Sequence, residues 1–65
     1  MNIAETVFRQ EVIRLANTGE LIDKPRDLDD ITAGNIMAQV ASEMVDYGQD
    51  IKAIIILNER IRLGI

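Results

Sequence analysis

The chain has 65 residues, 48% of them hydrophobic, with no cysteine and no histidine. That length makes one domain at most and leaves a core worth only ~3–5 kcal/mol, and the lack of cysteine and histidine excludes a disulfide framework and an ordinary zinc site. The formal net charge of −4 is concentrated in the middle of the chain, which disfavours a long contact with a phosphate backbone there.

The first element is a helix over about residues 3–17. Asn2 is placed to cap it, Glu5 follows at the spacing of a capping box, and Gly19 supplies a left-handed terminator. Ala4, Phe8, Val12 and Leu15 fall on one face at helical spacing, with Glu5, Thr6 and Arg9 off it. Phe8, the single phenylalanine, is therefore expected in the core, and Ile13 away from that face.

Residues 19–30 connect to the next helix as an acidic loop. Pro25 rules out a helix interior and pushes Lys24 toward an extended backbone. Leu21, Ile22, Leu28 and Ile31 are the apolar residues available to pin the loop to the helices, so it reads as ordered.

The second helix, about residues 31–47, is the clearest element. Ala33, Ile36, Met37, Val40, Ala41, Met44 and Val45 share a broad arc, wider than one neighbouring helix usually covers. Asp29, Asp30 or Thr32 is placed to cap its start, and Gly48 to end it. Ala33, Gly34, Ala38 and Ala41 would let another helix approach closely. Met37 and Met44, one heptad apart, read first as core and second as an adaptable contact for a partner helix.

The last segment, about residues 51–63, supports two readings. Asp50 as cap, Arg60 and Arg62 in the final turn and Gly64 as terminator favour a helix. The β-branched run Ile54-Ile55-Ile56 and the apolar residues at odd positions favour a strand. The helix is preferred because its start and stop signals agree. In either form, Ile54, Ile55, Ile56 and Leu57 cannot all face one core, so part of this run is expected to meet another chain.

Catalytic chemistry has little to draw on. Ser42, the only serine, sits on the polar side of the second helix without a base nearby in sequence, and Lys24 or Lys52 is a base on paper only. No glycine-rich phosphate loop is present. Counted from Asp27, a calcium-binding loop would need glycine at position 32 and glutamate at position 38, where the chain has Thr32 and Ala38. A helix-turn-helix can be drawn from the second and third helices, but the start of the third, Asp50-Ile51-Lys52-Ala53, is poor in groove-reading side chains. Arg9, Arg14, Arg60 and Arg62 would be its phosphate contacts.

The expected fold is all-α: one domain over residues 1–65, with two to three helices completed by homo-oligomerisation. The expected function is that of a non-enzymatic acidic regulator or adaptor acting by protein–protein binding. Inhibition of a basic or nucleic-acid-binding partner is one form this would take. The alternatives are a structural subunit of a larger assembly or a small dimeric DNA-binding regulator. Partners are the chain itself and another protein, with nucleic acid disfavoured and no cofactor or metal. The apolar contact is expected at Met37, Val40, Met44, Ile54, Ile55, Ile56 and Leu57, and the acidic one at Asp23, Asp27, Asp29, Asp30, Glu43 and Asp46. No run approaches the ~18–20 apolar residues of a membrane span, and no signal peptide is readable, so a cytoplasmic location is expected.

Overall fold

A computed structural model of the chain describes residues 2–65 and contains three helices: α1 (Ile3–Thr18), α2 (Asp30–Asp46) and α3 (Asp50–Leu63). Among the described residues there is no strand, so the final segment takes the helical of its two readings. The radius of gyration, 10.7 Å, is that of a compact chain of this size.

Each boundary has a local cause. The Asn2 side chain accepts the Ala4 N–H at 2.7 Å to start α1, and Gly19, with φ of 74°, ends it by donating to the Leu15 carbonyl. Of the three candidate caps for α2, Asp29 is the one used: its carboxylate accepts the Thr32 N–H at 3.1 Å. At the other end of α2 the chain turns through Tyr47, Gly48 and Gln49. Gln49 donates to the Met44 carbonyl at 2.8 Å while Gly48 takes a φ of 73°. This turn is so short that α3 begins at Asp50 with Gln49 as its cap residue, displacing Asp50 from the capping role its sequence position suggested.

A turn of three residues forces α2 and α3 into an antiparallel hairpin, the most extensive packing in the molecule. Gly34 shows how close the two are: a Cβ there would collide with the Ile65 carbonyl oxygen and lie 3.3 Å from the Arg60 guanidinium. α1 crosses both helices. Arg9 reaches the Glu43 carboxylate near the end of α2 at 2.6 Å, and Lys52 at the start of α3 reaches the Asn17 amide oxygen at 2.8 Å.

The core is built from Phe8, Val12 and Leu15 of α1, Ala33, Met37 and Val40 of α2, and Ala53 and Ile56 of α3, all 3% exposed or less. Ile13, expected off the core face, instead packs partly against this cluster, one turn before Asn17, where α1 meets Lys52 of α3. The loop contributes Ile22 and Leu28, both buried, whereas Leu21 and Ile31 remain exposed. Lys24 stitches the loop internally by donating to the carbonyls of Pro25 and Leu28.

Candidate protein-interaction surface

α3 is apolar on two sides. At about 100° per residue, Ala53, Ile56 and Leu63 turn toward α1 and α2, and Ile56 is fully buried. Ile54 and Ile61 fall on the far side and Leu57 at its edge next to Ala53, at intervals of three and four residues, and Ile54, Leu57 and Ile61 are 55%, 42% and 77% exposed. Ile51, one turn before Ile54, is 75% exposed, and Tyr47 in the preceding turn is also open to solvent. A single exposed isoleucine is ordinary, but a stripe of large aliphatic side chains along one helix is a feature of contact surfaces.

The run Ile54-Ile55-Ile56-Leu57 is thus divided by helical geometry: Ile56 inward, Ile55 half-buried, Ile54 and Leu57 outward. On α2, Met37 and Val40 are fully buried and Met44 is half-buried. Met37, Val40 and Ile56 therefore belong to the protomer's own core and present no surface to a partner. Most of the broad apolar arc of α2 is accounted for by α1 and α3, which pack against it and bury Ala33, Ile36, Met37, Val40 and Ala41, while Val45 at its end stays exposed. Sequence reasoning missed Ile51 and Ile61. The intervals Ile54, Leu57, Ile61 were the signal available for the latter.

The acidic residues do not form one strip. Asp23, Asp27, Asp29 and Asp30 gather at the loop and the start of α2, whereas Glu43 and Asp46 stand near its far end, about 20–24 Å along the helix from Asp30. Their engagements differ as well. Glu43 is paired with Arg9, Asp30 lies 3.5 Å from Lys24, and Asp29 is the cap of α2. Hydrogen bonding from Thr32 holds the Asp29 carboxyl below the usual carboxylate range. Asp23, Asp27 and Asp46 are exposed to solvent.

One acid behaves unlike the rest. Glu59 lies one turn beyond Ile56 on the inner side of α3 and is 4% exposed. Its carboxylate accepts the Ile22 N–H at 2.8 Å and is paired with the Arg62 guanidinium, which in turn donates to the Ile22 carbonyl at 3.0 Å. Both backbone groups of Ile22 are thereby satisfied by two side chains of α3. The Arg62 hydrogen bond outweighs the effect of burial and keeps the Glu59 carboxyl below its ordinary range. Sequence reasoning counted Glu59 only as a charge, although its spacing from Ala53 and Ile56 marks it as an inward position.

Among the described residues, no group of three or more His, Cys, Asp or Glu side chains stands close enough to hold a metal ion. Ser42 is exposed on α2. No helix is long and apolar enough to cross a membrane among the described residues. Comparison with protein families, curated proteins and solved structures finds no match to this chain.

Proposed function

We propose that this protein is a non-catalytic acidic regulator or adaptor that acts by binding protein, itself and a second partner. The observation that carries this reading is the outward stripe of α3. Ile51, Ile54, Leu57 and Ile61 expose apolar surface that the protomer's own fold leaves in water, and covering it contributes about 25 cal/mol per Å². A second macromolecular contact fits the exposed acids Asp23 and Asp27, which would face a basic surface and speed the encounter by steering.

The helix-turn-helix layout of α2 and α3 gains nothing from this arrangement. The outer face of α3 offers aliphatic side chains, where a groove-reading helix needs hydrogen-bonding ones.

The test is photo-crosslinking in cells, with a benzophenone amino acid placed at Leu57, at Asp27 and, as a control, at Asn35 on the polar side of α2. The adaptor reading expects a discrete adduct with another protein from position 57 or 27 and none from position 35. Absence of any adduct with another protein from both test positions overturns it.

A further inference from the structure

We propose that the outer face of α3 is a two-fold contact with a second copy of this chain, the two α3 helices running antiparallel with Leu57 beside the axis. The inference rests on the reading of the stripe as a protein contact and names its occupant.

Ile54, Leu57 and Ile61 are spaced by three and four residues, the interval of the narrow seam along which two helices pack. Leu57 lies near the middle of that seam, so a helix of reversed direction presents nearly the same series. A surface that matches its own reversed copy is what a two-fold axis perpendicular to the helices requires.

Asp50 in the first turn of α3 is exposed, and Asp46 is exposed just before it. Arg60 lies toward the opposite end and, among the described residues, has no carboxylate within ion-pair distance. Arg60 also lines the shallow apolar groove formed with Leu57, Ile61 and Ile65 at that end of the helix. An antiparallel pair centred on Leu57 brings Arg60 of one copy to about 6 Å, measured along the axis alone, from Asp50 of the other, an approach in which the Arg60 guanidinium turns outward from its place beside Gly34 of α2. The parallel pair would instead set Asp50 against Asp50 and Arg60 against Arg60, and would align the two helix dipoles unfavourably.

α3 has 14 residues, so its seam belongs to the small, weak class of interfaces, burying less than about 1,200 Å² in total. That fits a dimer dissociating at micromolar concentration, whose protomer folds around its own core.

Because the chain has no cysteine, single cysteines report the geometry cleanly. Under mild oxidation, Leu57→Cys is expected to form a disulfide dimer. Ile54→Cys and Ile61→Cys are each expected to remain monomeric alone and to cross-link when mixed. Equal cross-linking of Ile54→Cys alone and of the mixture overturns the antiparallel arrangement. Sedimentation of the unmodified chain is expected to show a monomer–dimer equilibrium, shifted at least tenfold toward monomer by Leu57→Asp with the helical circular dichroism retained. Asp50→Arg is expected to weaken the dimer several-fold, and Arg60→Glu added to it to restore the affinity. A wild-type chain that stays monomeric into the millimolar range overturns the proposal. If a heterologous adduct at Leu57 persists in that case, the adaptor reading survives. Conversely, the antiparallel dimer with no heterologous adduct at any position keeps this contact and removes the adaptor reading.

Discussion

The Glu59 carboxylate accepts the backbone N–H of Ile22 at 2.8 Å, across 37 residues of chain. Arg62 completes the arrangement by donating to the carbonyl of the same residue. The loop is thus held to α3 at a point where no helix or strand ladder is available to its backbone, and the Ile22 side chain is carried into the core. This contact explains how a proline-containing acidic loop becomes part of the packed structure that sets the course of α3.

Removing that acceptor leaves the Ile22 N–H buried without a partner. Glu59→Ala is therefore expected to destabilise the fold by about 1–3 kcal/mol, and Glu59→Gln by less, since an amide oxygen still accepts from Ile22. Urea unfolding followed by circular dichroism measures both. Equal stability of Glu59→Ala and the parent chain would show that the clamp contributes nothing.

The pH dependence follows from the same residue. Glu59 and Asp29 both titrate below their ordinary values in the folded chain. The stabilisation they give is present above the unfolded-state carboxylate range and is lost as pH falls through their lower folded-state values. Thermal unfolding from pH 7 to pH 2 should show a falling midpoint at the acid end. Glu59→Gln should flatten that fall, and an unaltered profile would count against the assignment.

Gly34 on α2 offers a test of the helix hairpin. In an open helix, Gly→Ala stabilises by roughly 0.5–1 kcal/mol. At position 34 the new methyl group meets the Ile65 carbonyl and the Arg60 guanidinium, and overpacking of that kind costs about 1–3 kcal/mol. Gly34→Ala should lower the unfolding midpoint; a raised midpoint would mean that α3 does not pass this close to α2.

Phe8 contributes the largest of the fully buried side chains. Truncation to alanine costs about 3–5 kcal/mol, comparable to the ~3–5 kcal/mol that a small single core supplies. Phe8→Ala is accordingly expected to be largely unfolded at room temperature in dilute solution, visible as lost helical signal. Retention of a cooperative transition within 1 kcal/mol of the parent would place the weight of the core elsewhere.

The acidic edge calls for a substitution set chosen from the structure. Asp29 caps α2, so neutralising it would confound binding with folding. Asp23→Asn with Asp27→Asn leaves the cap intact. It should weaken capture of a basic partner through this edge and reduce the salt dependence of that affinity. Titration at two salt concentrations is sufficient, and an unchanged slope would remove these acids from the contact.

Much of this architecture is written locally in the chain. Asn2, Gly19, Asp29, Gly48 and Gly64 mark the helix ends through their own backbone preferences and short-range hydrogen bonds, and Phe8, Val12 and Leu15 show their inward face by spacing alone. Local signals also settled that Ile54 through Leu57 could not share one side of α3. Which of the four turned inward depended on the direction from which α1 and α2 approach, and that is fixed by non-local contacts such as Gly34 with Ile65 and Lys52 with Asn17. Non-local packing likewise enclosed Met37 and Val40, brought Ile13 against the core, and paired Glu59 with a backbone group 37 residues away. Helical periodicity assigns residues to a face, but only the packed neighbours determine whether that face lies in the core or in water.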